Sequence, residues 1–278
     1  SLPLAAPPDA DSRAIGRWLM FCCAVLLALI MLGGATRLTE SGLSIVEWKP
    51  VTGILPPIGD AAWQAELQKY RDSPQYQKVN RGMSLDAFKL IFWYEYAHRL
   101  LARFLGLCFA LPYFWFLLRG RIPQKWRWPL FGTLLLGAAQ GYMGWYMVKS
   151  GLVDIPRVSH YRLAAHLSLA LMIYASMFWI GANALWPRAA SAARTGRLVW
   201  LIAGLLVATI VFGAFVAGLR AGLVYNTFPL MGGQFVPPNF LSFAPAWMNF
   251  LENPGTVQFV HRWLAITTLA LVFLAWFR

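Results

Sequence analysis

Six apolar runs, each about 20 residues or longer, dominate this chain and leave it few ways to fold. An α-helix rises ~1.5 Å per residue, so about 20 apolar residues carry it across the ~30 Å of a bilayer's hydrocarbon. The runs read as approximately 17–36, 88–118, 128–148, 159–186, 198–219 and 256–277. Hydrocarbon offers the backbone no water to bond, so a spanning segment must satisfy its own amides, and a helix does so. Charged residues make up 13% of the chain and hydrophobic ones 59%, where a soluble domain carries about 25% charge. The predicted fold class is all-α: a polytopic membrane protein of six transmembrane helices.

The net charge of +13 follows topology rather than a nucleic-acid surface, because the basic residues sit in short loops and at helix ends. No basic motif of a nucleic-acid-binding fold is present, and nucleic acid is not an expected partner. The loop after the second run holds Arg119, Arg121, Lys125 and Arg127 with no acid, and the loop after the fourth holds Arg188, Arg194 and Arg197. The long loop 37–87 mixes its bases with Glu40, Glu47, Asp60, Glu66, Asp72 and Asp86. Acid-free basic loops belong in the cytoplasm, which places the N-terminus inside and loops 37–87, 149–158 and 220–255 outside. The first run spans and lacks a cleavable leader, while Ser1 in place of a start methionine points to a trimmed N-terminus. Cys22, Cys23 and Cys108 all lie within apolar runs, where a thiol serves as a small packing residue.

The outer loops carry their own pattern. Trp63, Leu67 and Tyr70 recur at helical spacing after Asp60, predicting a short amphipathic helix lying on the outer surface. Ser84 is placed to cap the next helix, and Pro237-Pro238 excludes regular helix in loop 220–255, which should fold back over the helix ends.

An internal repeat organises the chain. Glu95-x-x-His98-Arg99-x-Leu101-Ala102 in the second run returns as Gln258-x-x-His261-Arg262-x-Leu264-Ala265 in the sixth. Upstream, Gly34-Ala35, Ser41-Gly42-Leu43 and Pro56-Pro57 return as Gly213-Ala214, Ala221-Gly222-Leu223 and Pro237-Pro238. Helices one and two are thus duplicated as five and six; counterparts of three and four would follow Arg278, unless the second half was never completed. The expected domains are 1–190, a four-helix bundle including outer loop 37–87, and 191–278, the first two helices of a second bundle.

Three of the four histidines lie inside predicted spans: His98 about 10 residues in from the outer end, His166 about 7 and His261 about 5. At ~1.5 Å per residue all three fall roughly 7–15 Å from the outer boundary. An ionisable group at such depth is expensive and marks a functional site. His160 sits at the interface, where a wetted histidine is expected. Zinc or copper would need three or four converging ligands, and only Glu95 stands near a histidine in sequence. Haem needs one or two axial imidazoles and a large apolar, aromatic pocket. Phe92, Trp93, Tyr94, Tyr96, Trp145 and Tyr146 supply the aromatics. Arg99 and Arg262 each follow a histidine and Arg162 precedes His166 by one turn, so all three suit the haem propionates; snorkelling to lipid headgroups is their alternative role. Glu95 against Gln258 separates the halves: a carboxylate beside a haem can move protons or stabilise positive charge, and an amide cannot. The first half therefore reads as reactive, the second as a structural or electron-transfer site.

Gly33-Gly34-Ala35-Thr36-Arg37-Leu38-Thr39 with Ser41-Gly42-Leu43-Ser44, the Glu95-x-x-His98-Arg99 block, His166 and Gln258-x-x-His261-Arg262 together resemble the haem A synthase family. The resemblance runs from the first helix to the sixth and implies two four-helix halves. It implies that His98 and His166, with Arg99 and Arg162, face the substrate haem O, and that Glu95 acts beside the reacting methyl. It implies that His261, with Arg262, holds a haem b cofactor, together with a histidine on an eighth helix beyond this sequence. The implied reaction hydroxylates a methyl group of haem O and oxidises it again to the formyl of haem A, for cytochrome oxidase assembly. Electrons would come from an external donor. Implied partners are haem O and its synthase, with self-association permitted; the implied location is the bacterial inner membrane, or the mitochondrial one. The absence of a cysteine pair from the outer loops matches the cysteine-free branch. The rival reading is a non-enzymatic b-type cytochrome carrying electrons within the membrane. Such proteins stack histidine pairs on one helix, and no run here holds two deep histidines. A transporter without chemistry would leave the Glu95–Gln258 difference unexplained.

Overall fold

A computed structural model of the chain describes residues 9–49, 52–153, 156–187 and 196–277. The basic residues Arg188 and Arg194 and the expected domain boundary at 190/191 lie outside the described residues.

Asp9 starts the first helix, α1 (Ala10–Leu38), by accepting a hydrogen bond from the Ser12 backbone at 2.6 Å. This satisfies one of the amides that a helix start leaves open. Two short helices follow, α2 (Asp60–Arg71) and α3 (Pro74–Lys78). Ser84 caps α4 (Leu85–Leu118) as expected, accepting from the Ala87 amide at 3.2 Å. Then come α5 (Gln124–Lys149), α6 (His160–Leu185), α7 (Arg197–Leu219), the four-residue α8 (Asn249–Glu252) and α9 (Pro254–Trp276). Asn253 caps α9 from a side chain accepting two amides, those of Gly255 and Thr256.

Helices form at all six expected positions. Five of them, α1, α4, α6, α7 and α9, are long and apolar enough to cross a membrane. The third, α5, has the length, but Gly132, Gly137, Gln140, Gly141 and Tyr142 dilute its apolar run and it falls short on composition. The expected count of six therefore stands as five spans by composition plus one helix of spanning length.

Contacts divide the chain into two units, Ser1–Val158 with Leu169–Ser191, and Ser159–Ser168 with Ala192–Arg278. In the first unit, Ile15, Leu19, Cys22 and Leu26 of α1 bury against Phe109, Tyr113 and Phe116 of α4 and Ile173, Met177 and Ile180 of α6. Cys22 is fully buried and Cys23 nearly so, which is the packing role expected of them. Gly16 lets α6 approach: a Cβ there would lie 2.6 Å from Leu185 Cγ. In the second unit α7 packs along α9, with Ala214, Phe215 and Val257 meeting Ala164 of α6.

The expected amphipathic helix forms as α2, and protein covers its apolar face. Trp63, Leu67 and Tyr70 are buried against Phe88, Ile91, Phe92 and Tyr96 of α4. The first turns of α4 are themselves aromatic on that side, and protein aromatics cover Trp63 edge-on at 5.0 Å from Phe92.

Candidate functional site

An ion pair within α4, Glu95 with Arg99, holds the loop that leaves α1 by hydrogen bonds. Glu95 is 3% exposed, and its two oxygens accept from three donors. Ser44 Oγ lies 2.7 Å and the Ile45 amide 2.8 Å from Oε2, while Arg99 Nη2 lies 2.6 Å from Oε1. Arg99, one helical turn on from Glu95, also donates to the carbonyls of Ile45 at 2.8 Å and Glu47 at 3.1 Å. Carboxylate and guanidinium thus grip the same stretch of backbone, one by its amide and the other by its carbonyls.

The second unit repeats this clamp in neutral form. Arg262 donates to the carbonyls of Tyr225 and Thr227, each at 2.7 Å. Gln258 carries no charge to pair with Arg262; its Nε2 donates to the Tyr225 carbonyl at 2.8 Å. Tyr225 and Thr227 are therefore the counterparts of Ile45 and Glu47. In that register Glu40 matches Arg220, and both residues hold a φ of 55° just past the helix. Side chains other than glycine seldom adopt that backbone, so its recurrence marks one loop fold used twice. Val224 then stands where Ser44 does, so the hydroxyl donor and the carboxylate it serves disappear together.

The repeat also places the histidines. A Cβ on Gly33 would lie 3.1 Å from His98 Nε2, and one on Gly213 would lie 3.0 Å from His261 Cε1. Each imidazole sits against a glycine of the preceding long helix. The structural partner of Gly213 is thus Gly33, not Gly34 as the sequence pairing had it. Both residues are glycine in the first half, and only the histidine contact tells them apart. His261 Nδ1 lies 3.0 Å from the Thr209 carbonyl. A carbonyl only accepts, so Nδ1 carries the hydrogen and Nε2 keeps its lone pair, the arrangement of a ring prepared to ligate a metal through Nε2.

Of the sequence-predicted residues, Glu95, His98 and Arg99 lie on α4 in the first unit, and Glu95 and Arg99 are in contact. Arg162, His166, His261 and Arg262 belong to the second unit. Arg162 and His166 are half-buried on α6. Two expectations change. Arg99 and Arg262 are neither wholly available to a ligand nor snorkelling, because both hold loop carbonyls. His160 is not a wetted interfacial residue: its side chain is 12% exposed, its ring meets Phe215 edge-on at 5.6 Å, and its Nε2 lies 3.7 Å from Glu252. Gly218 makes room for it, since a Cβ there would come within 2.7 Å of the His160 Cα. Glu252 also accepts from the Tyr161 hydroxyl. Thr209 was missed by the sequence reading, which named Ser44 and Gly213 only within motifs and gave them no role; only a residue-by-residue alignment of the two halves could have drawn out that of Ser44.

Beside the clamp, the first unit holds a cavity of about 250 Å³ between loop residues Ile45–Trp48, Arg99, and the last turns of α5. Glu47 on its wall is held below the usual carboxylate range by hydrogen bonds from Lys49 and Lys69. Among the described residues no three His, Cys, Asp or Glu side chains gather as a metal site would require.

Ser44→Ala removes one of the three donors to Glu95. A hydrogen bond to a charged group contributes about 1.5–3 kcal/mol, so the variant is expected to unfold at lower temperature in detergent. In a Glu95→Gln background the same change should cost markedly less. An unchanged melting temperature in the wild-type background would show that the bond contributes nothing.

No solved structure matches the chain. Residues 16–278 match the family model described as "Cytochrome oxidase assembly protein". Among curated proteins the chain is similar to one from Nitrosospira multiformis, 50% identical over 97% of this chain and 77% of the relative. One from Rhodospirillum centenum is 49% identical over 99% and 76%, and one from Agrobacterium fabrum 52% identical over 94% and 72%. All three carry the name "Heme A synthase". With nearly its whole length matched in this way, the chain belongs to the cytochrome oxidase assembly protein family.

Proposed function

We propose that this chain is a membrane enzyme that converts haem O into haem A for cytochrome oxidase assembly. The observation that carries this reading is identity of about half, over nearly the full chain, to proteins named for that synthesis. In a host that makes haem O but has no haem A synthase, the chain should restore the a-type absorbance of cytochrome oxidase. Persistent absence of that band with the chain correctly inserted would reject the reading. No observation favours the non-enzymatic cytochrome.

The two halves divide the work. In the first, His98 faces the substrate haem O, with Arg99 toward its carboxylates. Glu95 shares a helix face with His98, three residues away, and its carboxyl group is held in place by three donors. A preorganised carboxylate there stabilises positive charge developing at the reacting methyl, or accepts a proton from it, without having to reorient. Taking the methyl through the alcohol to the formyl removes four electrons from the substrate; in a monooxygenase-type reaction dioxygen accepts these together with the electrons of the external donor and leaves as water.

The second half fits a b-type haem as resident cofactor. Thr209 fixes the His261 tautomer so that Nε2 can ligate iron, Gly213 clears the ring's flank, and Arg262 has commitments on only two of its five N–H groups. When bound, the haem supplies one-electron transfer. Gln258 holds the loop there without adding a charge to the site. We place the chain in the bacterial inner membrane with its N-terminus cytoplasmic, receiving haem O from its synthase and electrons from an external donor.

A further inference from the structure

The cavity beside the clamp has a use that the Glu95 network does not exhaust. Its walls combine two cations, Arg99 and Lys149, with two indoles, Trp48 and Trp145. The Arg99 guanidinium lies 6.0 Å from the Trp48 ring and the Lys149 ammonium 5.0 Å from the Trp145 ring. Arg99 commits three of its five N–H groups, to Glu95, Ile45 and Glu47, and no described residue takes the other two. Lys149 has no carboxylate within ion-pair distance among the described residues. The acid on the wall, Glu47, is already claimed by Lys49 at 2.6 Å and Lys69 at 2.8 Å, so it does not neutralise Lys149. The cavity therefore carries excess positive charge between flat aromatic walls.

We infer that this cavity receives a carboxylate arm of the substrate, with Lys149 and the uncommitted face of Arg99 as its partners. The inference rests on the haem O reading above and adds Lys149 as a binding residue. At about 250 Å³ the space lies below the 300–1,000 Å³ of ordinary small-molecule sites, so it suits one short acidic side chain and not a macrocycle. Arg99 directly follows His98 on α4, so the arm would be held one residue from the imidazole that faces the substrate. A charge-assisted bond to Lys149 adds affinity, while the indoles exclude water from it. A lipid phosphate shares this chemistry and is the occupant to be distinguished.

The test compares haem O with its dimethyl ester, which lacks both negative charges, by absorbance titration of the full chain. Wild type should bind the diacid about tenfold more tightly than the diester, the value of one charged hydrogen bond. Lys149→Ala should bring that ratio to within about threefold, and Lys149→Arg should restore it. Lys125→Ala, at the other end of α5, should leave the ratio unchanged. An equal ratio in wild type and Lys149→Ala overturns the assignment. So does a Lys149-dependent uptake of phosphatidylglycerol vesicles with no change in the ratio, which would assign the cavity to lipid. If wild type neither binds haem O nor makes haem A, the haem O reading falls with it; if wild type makes haem A with the ratio unaltered, Lys149 alone is rejected.

Discussion

Glu95→Gln is expected to abolish haem A formation while the chain stays folded and keeps its resident haem. The substitution is one the molecule already makes, since Gln258 stands at the same place in the second unit and holds its loop there by a bond to the Tyr225 carbonyl. An amide can still accept from Ser44 or the Ile45 amide, so most of the loop attachment survives. What it cannot supply is the negative charge. Positioned acid–base groups contribute about 10²–10⁴-fold to a rate, and the turnover of haem O should fall by that order. Glu95→Ala is the harsher experiment: it strands Arg99, whose side chain is 13% exposed. Breaking a buried pair on one side costs about 3–5 kcal/mol, so its loss of activity would mix chemistry with instability. Chromatography of extracted haems, together with the absorbance of the purified variant, separates the two. Haem A at the wild-type level from Glu95→Gln would remove Glu95 from the chemistry.

His261→Ala should empty the second site. The b-type absorbance of the purified protein is expected to fall to background, because no other histidine of that unit occupies the place against Gly213. A gentler substitution checks the geometry. A Cβ at Gly213 would stand 3.0 Å from the His261 ring, so Gly213→Ala should displace the imidazole from the Thr209 carbonyl and lower haem content partly. Gly204→Ala, on the same helix with nothing within 4 Å, should have no such effect. Full b-type absorbance in His261→Ala would refute the assignment of this histidine.

Much of this was legible in the residues. Apolar run length placed the helices to within a few positions, except that α1 starts well before its apolar run, because the bilayer's thickness fixes the length a helix needs. The repeat of the Glu95 and Gln258 blocks located two matching arginine clamps on corresponding helices. What stayed hidden depended on side-chain direction. Arg99 and Arg262 read as ligand partners because a guanidinium beside a histidine has many uses, and sequence does not reveal that loop carbonyls reach it first. Trp63, Leu67 and Tyr70 have the spacing of a membrane-surface helix, and only the aromatic face of α4 shows that protein covers them. His160 looked wetted from its position at a helix start, yet Gly218 opens a place for it inside. The one-residue slip between Gly33 and Gly34 arose because adjacent glycines are indistinguishable until a neighbour touches one of them.

The Ser44–Val224 and Glu95–Gln258 differences sharpen the contrast between the halves. One scaffold, a long helix, a left-handed exit, a loop gripped by an arginine and a histidine against a glycine, occurs twice. A buried charge with its hydroxyl donor occurs once. Under the proposed function, that difference leaves one haem site quiet and makes the other reactive.

The most direct measurement is mass-resolved extraction of pigments from the wild-type chain, purified from a host that supplies haem O and makes no haem A. The account predicts haem A together with haem b; haem b alone, with haem O untouched in the membrane, would contradict it.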